Sequence, residues 1–344
     1  MKFRYLMLCV LTIMMLMSGA AGETARTPVV EFYIDHYVGH VGYETTVVLR
    51  CRTPEWISKD DNTFELRNQY GMVLAVSRWH NPGSNMTMRF TVQESFLGGN
   101  ELSLWWNGVD VTKKHAWAAY SDLSVKRVTS LAPQTPAIAL TIVCGDGDLQ
   151  DVERILAVLE KHGVKCTFFL IGDWMESHVA ESRLIVAGGH EIASHGYHHI
   201  NMTKADYRNI RLNITLMNER CEELLGVRPR LFRAPYSATN EKVTALVRAE
   251  GMEEIQWSVD SQDWADKYSR HPEQIVQRLT DGVTAVSGSV VQFHVDGYNT
   301  EKILDDVIPY YRDVCGMAVV TVGELLSLSG RDLPPIADPC PTDD

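Results

Sequence analysis

The sequence predicts two folds in series: a small all-β sandwich over residues 24–128, then an α/β barrel of the TIM type over 137–330. Three observations predict them. Short segments rich in Val, Phe, Tyr, Trp and Thr recur between turn residues up to about residue 128. The stretch TSLAPQTP (129–136) then carries two prolines and reads as a linker. Behind it, strand-like apolar runs alternate with amphipathic segments about seven times, the pattern of a parallel sheet closed into a barrel.

The chain starts MKFRYLMLCVLTIMMLMSGAAGE, where Lys2 and Arg4 precede an apolar run from Tyr5 to Met17 and the small residues Ser18 to Gly22. That order predicts a signal peptide over 1–22 and a mature protein that is secreted or sits at the cell envelope. No later stretch is long and apolar enough to span a bilayer. The sandwich strands are VVEFYI (29–34), TTVVLRC (45–51), MVLAVSRW (72–79), MTMRFTV (86–92), ELSLWW (101–106) and HAWAAYSDL (115–123), in an immunoglobulin-like or carbohydrate-binding-like arrangement. Trp79, Trp105, Trp106 and Trp117 could line a sugar-binding face; buried packing is the favoured reading, since large aromatics dominate sandwich cores.

The barrel begins with IALTIVC (138–144), the helix LQDVERILAVLEKHG (149–163) and VKCTFFLIG (164–172). In the helix, Val152, Ile155, Leu156 and Leu159 share one face, and Gly163 closes it. Further strands fall near 191–195, 230–234, 254–259, 289–294 and 317–321, and 331–344 form a C-terminal tail. A net charge of −12, more negative once Lys2 and Arg4 are removed, excludes a phosphate-binding surface for nucleic acid. The cysteines are scattered, with no C-x-x-C pair to suggest a zinc finger.

A barrel of this type places its chemistry at the C-terminal ends of its strands. After the third strand, HEIASHGYHH sets His195 and His199 four residues apart, one face of a helical turn and a spacing suited to a divalent metal; His198 points off that face and His190 is structural. After the fourth, RAPY offers the planar donor fork of Arg233 and, stiffened by Pro235, the backbone N–H of Tyr236 as an oxyanion donor. After the fifth, DSQDW brings Asp260, Asp263 and Trp264, a carboxylate to orient a histidine beside an aromatic wall. After the sixth, QFH ends on His294, a core histidine or a general acid.

The order H-G-Y-H-H, R-A-P-Y, D-S-Q-D-W, Q-F-H, with GVKCTFFLIG and GGHEIASHGYHH, resembles the polysaccharide deacetylase family (NodB homology, carbohydrate esterase family 4) over residues 137–325. The resemblance implies a distorted (β/α)7 TIM-like barrel and metal-dependent removal of acetyl groups from N-acetylated or O-acetylated sugars, with chitin, xylan or peptidoglycan as the polymer. It implies His195 and His199 as metal ligands and His294 as general acid tuned by Asp263. Arg233 would brace a catalytic carboxylate, the Tyr236 N–H would meet the oxyanion, and Tyr236 and Trp264 would contact substrate. Zinc is the expected metal, with cobalt or nickel as alternatives.

The family's first motif, T-F-D-D-G, is altered. Without a gap, Thr141, Ile142, Val143, Cys144 and Gly145 occupy it, and both aspartates are missing. With a shifted register, Asp146-Gly147 supplies the D-G and Asp146 completes a metal triad with His195 and His199, leaving Cys144 at the base position. Asp148 is the remaining carboxylate, either a catalytic base or, with Asp151, the cap of the following helix. Two further readings stay open: a carbohydrate-binding pseudo-enzyme, and a metal-dependent hydrolase of another acyl or amide bond.

Overall fold

The computed structural model describes residues 28–34, 38–57, 62–79, 85–121, 127–145, 147–265, 271–282 and 284–333. The expected signal peptide (1–22), Asp146 and the end of the tail (334–344) lie outside the described residues. The chain divides into two compact units, one comprising Met1–Asp35, Glu44–Phe90 and Glu101–Ala116, the other His36–Tyr43, Thr91–Asn100 and Trp117–Asp344.

The first unit is β-rich. Val30–Ile34 pairs antiparallel with Glu44–Cys51 in one small sheet, and Asn62–Arg67 pairs antiparallel with Val73–Trp79 in another. Burial alternates residue by residue along Glu44–Cys51, Asn62–Arg67 and Asn85–Thr91, as strands with one buried face require. Trp105 and Trp106 are half-buried; Arg67 stacks over Trp105 at 4.3 Å, and the Trp106 indole donates to Asn62 at 3.0 Å.

The second unit holds the parallel sheet and two segments that precede the linker. Val38–His40 pairs in parallel with residues 119–121, while Trp117 and Ala119 pack with Ile210, Phe232, Val243 and Leu246. Trp117 is therefore core, as expected.

Its eight-stranded sheet comprises β1 (Ala137–Cys144), β2 (Thr167–Leu170), β3 (Glu191–Ser194), β4 (Leu231–Phe232), β5 (Glu253–Glu254), β6 (Val259–Asp260), β7 (Val290–His294) and β8 (Ala318–Val320). The order is β5-β4-β3-β2-β1-β7-β6, with β8 also on β1, and the pairings are parallel. Helices fill the connections: α1 (Leu149–His162), α2 (Gly172–Ser177), α3 (Val179–Ala187), α4 (Tyr207–Leu225), α5 (Glu241–Ala249), α6 (Pro272–Leu279), α7 (Thr300–Pro309) and α8 (Val322–Leu328).

All eight residues of β1 are buried, because it is central and covered on both faces. Ile138, Leu140, Ile142 and Cys144 join the helix-facing core with Val152, Ile155 and Leu159 of α1 and Ile303, Leu304 and Val307 of α7. Ala137, Ala139 and Val143 join the inner cluster with Phe169, Ala193, Leu231 and Val290. The helix α1 starts at Asp148 in a capping box with Asp151 and ends at Gly163, left-handed at φ 65°.

The expected single strand near 254–259 is two short strands at opposite edges of the sheet. Glu253–Glu254 pairs with β4, and after four residues Val259–Asp260 pairs with β7. One extended segment thus changes partners and completes the ring through the chain itself, which makes the barrel distorted. Periodicity could not show this, since neither half, Glu253–Glu254 or Val259–Asp260, carries an apolar run of its own.

Candidate active site

At the C-terminal ends of these strands lies a cavity of about 600 Å³. Among its lining residues are His195, His199, Tyr236, Asp260, Trp264 and His294.

His195 follows β3 directly and is 5% exposed. Its Nδ1 lies 2.8 Å from the Arg233 carbonyl, an acceptor only, so Nδ1 carries the proton and Nε2 keeps its lone pair. Burial, with the nearby His199 and Arg233 charges, pulls its pKa down to about 3, so the ring is neutral. The His195 and His199 rings lie 5.3 Å apart between centroids. No helical turn brings them together, contrary to the spacing argument: Gly196, left-handed at φ 80°, folds the loop back. Asn213, 3% exposed, clamps that loop by accepting from Tyr197 N at 2.8 Å and donating to the His198 carbonyl at 3.1 Å. Its side chain is thus a structural strut. His198 turns outward to Asp173 at 2.8 Å, and His190 is buried with its pKa lowered to about 4 by desolvation. The neutral, oriented imidazole of His195 and the ring of His199 open onto one cavity, a pair that fits a divalent metal. The third expected ligand, Asp146, lies outside the described residues, and no cluster of three ligating side chains occurs among the described ones.

Across the cavity, His294 ends β7 and is held by Asp263. Asp263 is fully buried, and its carboxylate accepts three hydrogen bonds: His294 Nδ1–H at 2.8 Å, His294 N–H at 2.8 Å and the Thr300 hydroxyl at 2.7 Å. Gly297 is required for this packing, because a Cβ there would collide with Asp263 Oδ2 and Thr300 Oγ1. Burial pulls the His294 pKa down, but the hydrogen bond and charge of Asp263, with Asp296 and Asp260 beyond, outweigh it and leave the pKa above 6.5.

Arg233 is fully buried beneath the cavity. It donates to the Ile255 carbonyl at 3.3 Å, Thr141 Oγ1 at 3.0 Å and Gln292 Oε1 at 3.2 Å, and lies 3.9 Å over the Phe169 ring. No carboxylate pairs with it among the described residues, so desolvation lowers its pKa to about 9. Tyr236, after Pro235, is left-handed at φ 58°, a conformation costing roughly 1–2 kcal/mol for an L-residue. Its backbone N–H has no partner among the described residues, and its ring packs 4.3 Å from His199. Trp264 stands 55% exposed at the rim.

The altered corner is resolved by the pleat of β1. Val143 lines the cavity, opposite His294 in the β1–β7 register. Cys144 faces the helices, and burial, aided by Asp296, pushes its thiol well above 9.0. The reading of Cys144 as occupant of the base position is corrected: alternation turns it away from the cavity and desolvation keeps it protonated. Asp148, the expected candidate base, caps α1 by accepting from Gln150 N at 2.9 Å and Asp151 N at 3.1 Å, and it does not line the cavity.

Sequence reasoning missed Asp173 and Trp174 after β2, Trp257 in the crossing segment, and Gln292 and Asp296 beside His294. The first pair follows FFLIG, a strand end that was available to read. Gln292 is a polar residue inside an apolar strand, two before His294 and so on the same face.

Residues 132–255 match the family model described as polysaccharide deacetylase. The chain is 32% identical over 219 residues to a peptidoglycan-N-acetylglucosamine deacetylase of Bacillus cereus, covering 62% of this chain and 77% of that one. It is 30% identical to the uncharacterized protein YlxY of Bacillus subtilis, over 56% of this chain and 58% of YlxY. It is also 30% identical to the peptidoglycan-N-acetylglucosamine deacetylase PgdA of Listeria monocytogenes, over 55% of this chain and only 38% of that protein. Among solved structures, a CE4 family pseudoenzyme of Bacillus anthracis superposes with a TM-score of 0.55 at 28% identity, over 62% of this chain and 74% of that one. The chain belongs to the polysaccharide deacetylase family.

Proposed function

We propose that the protein is an exported deacetylase that removes acetyl groups from N-acetylated or O-acetylated cell-wall glycan, with a divalent metal and an altered water-activating side. The observation that carries this reading is that His195, oriented by the Arg233 carbonyl, His199 and the His294–Asp263 pair open onto the same cavity. His195 and His199 would hold the metal, joined in the shifted register by Asp146. When bound, zinc, cobalt or nickel would polarise the acetyl carbonyl and lower the pKa of a nearby water. The chain's own residues supply the rest. His294, with Nδ1–H fixed on Asp263, presents Nε2 to the cavity and gives its proton to the leaving amine as the C–N bond breaks. The Tyr236 N–H meets the developing oxyanion, and Trp264 with Tyr236 packs against the sugar. Asp296 lines the cavity, and its charge acts on both His294 and Cys144. Export rests on residues 1–22. No helix among the described residues is long and apolar enough to cross a membrane.

The inward Val143 favours a second reading, a glycan-binding pseudo-enzyme, since an isopropyl group there cannot accept a proton. A mutant of the Bacillus anthracis pseudoenzyme is described as having restored enzymatic activity. Acetate release from chitooligosaccharides, acetylated xylooligosaccharides and peptidoglycan fragments after zinc, cobalt or nickel loading separates the two. Release abolished by His294→Ala supports the enzyme, whereas tight binding without release by any metal form supports the pseudo-enzyme. In equilibrium dialysis Asp146→Ala should lower zinc occupancy sharply, and unchanged occupancy would place the third ligand elsewhere.

A further inference from the structure

Gln292 is 5% exposed and lies between the buried Arg233 and the cavity it lines. A guanidinium can only donate, so Arg233 Nη1 at 3.2 Å fixes the Gln292 amide oxygen on its own side. The NH2 end therefore points away from Arg233. It makes no hydrogen bond among the described residues, yet it is not sealed in protein as Arg233 Nη2 and Gln256 Nε2 are. This is a donor held by its partner and offered to the cavity.

The charge behind it strengthens the offer. Every acceptor that Arg233 reaches is neutral, namely the Ile255 carbonyl, the Thr141 hydroxyl and the Gln292 oxygen. The amide is polarised by a cation that touches no carboxylate among the described residues, the charge of Asp260 acting on it only through space, so its N–H groups are stronger donors than those of a free amide. Thr141 pairs with Gln292, and Val143 with His294, in the β1–β7 register. The Val143 side chain supplies no acceptor.

We infer that Gln292 is a ligand-contacting residue, and that the cavity floor over Arg233 takes the planar oxygen group of an acyl or carboxylate ligand, with Gln292 Nε2–H donating to one oxygen. The identity of that ligand rests on the deacetylase reading, in which it is either the acetyl carbonyl of substrate or the released acetate. The two share an sp² oxygen acceptor and differ in charge.

The test titrates the full-length chain, with and without zinc at constant ionic strength, against sodium acetate and against acetamide, read by tryptophan fluorescence and calorimetry. Binding of both probes identifies a carbonyl site, and binding of acetate alone a carboxylate site. Gln292→Glu keeps an acceptor for Arg233 while placing a carboxylate oxygen where the donor was. It should retain the wild-type melting temperature and lose roughly tenfold or more in affinity, the scale of one lost hydrogen bond. Gln292→Leu should lose binding similarly, and Gln292→Asn should recover part of it. Unchanged affinity in a folded Gln292→Glu overturns the inference, as does failure of the wild type to bind either probe. If the chain proves to be a pseudo-enzyme, Gln292-dependent binding persists without turnover. If it turns over with KM and acetate inhibition indifferent to position 292, the enzyme reading stands and this inference falls.

Discussion

The two sides of the cavity are built to different standards. On the acid side His294 has a fully buried partner, and that partner has all its near acceptors used: Asp263 takes three hydrogen bonds, with Gly297 shaped to admit it. On the side of β1 the corresponding inward position is Val143, the next residue Cys144 faces the helices, and Asp148 caps a helix. Arg233, which would brace a carboxylate there, donates only to neutral groups, and its buried Nη2 has no partner among the described residues. The His294 side is over-determined, whereas the inner face of β1 offers no carboxylate among the described residues.

The largest expected effect lies on the acid side. Asp263→Asn removes the charge that raises the His294 pKa and reverses the preference for Nδ1–H, so acetate release should fall by ~10²–10⁴, the usual contribution of general acid catalysis. The pH profile gives the sign. His294 works protonated, and its raised pKa keeps it so above 6.5; activity is therefore lost as pH rises through a value higher than 6.5. In the variant that alkaline limb should move back toward lower pH. A loss under tenfold with an unmoved limb would remove His294 from the chemistry.

A pair of substitutions tests the β1 side. Val143→Asp introduces a carboxylate on the inner face near Arg233 and should raise acetate release while leaving the fold intact. Cys144→Asp forces a charge into the helix-facing core and should destabilise by ~3–5 kcal/mol, read as a lowered midpoint in urea unfolding. Equal stability of the two variants would show that the facing of β1 has been misassigned. The smallest effect concerns the rim: Trp264→Ala removes one stacking surface worth ~0.5–1.5 kcal/mol, so KM should rise about two- to tenfold with kcat nearly unchanged. A kcat loss as large as that of Asp263→Asn would mean that Trp264 supports the catalytic groups instead.

Much of this was legible in the sequence, for physical reasons that differ by residue. The helix Leu149–His162 could be read at both ends because Asp148, Asp151 and Gly163 mark caps by their chemistry. His195, His199 and His294 could be read because histidines at strand ends have few bland uses. The crossing between Glu254 and Val259 was hidden, since a change of pairing partner leaves no mark on hydrophobic alternation. The same limit hid the direction of Cys144: parity along β1 is fixed only once a partner strand sets the pleat. The left-handed Tyr236 was invisible because Pro235 announces a turn without specifying the sign of the next φ.

The connectivity of β1 also governs when the protein can fold. It pairs with residues near 167, near 290 and near 318, so the strand at the centre of the sheet waits for partners from the far end of the chain. Contacts that distant must overcome loop closure before they contribute stability, which makes assembly slow and late. Until Val320 has emerged during synthesis, β1 lacks β8 and exposes an apolar edge, leaving an interval in which the chain is prone to association through that edge.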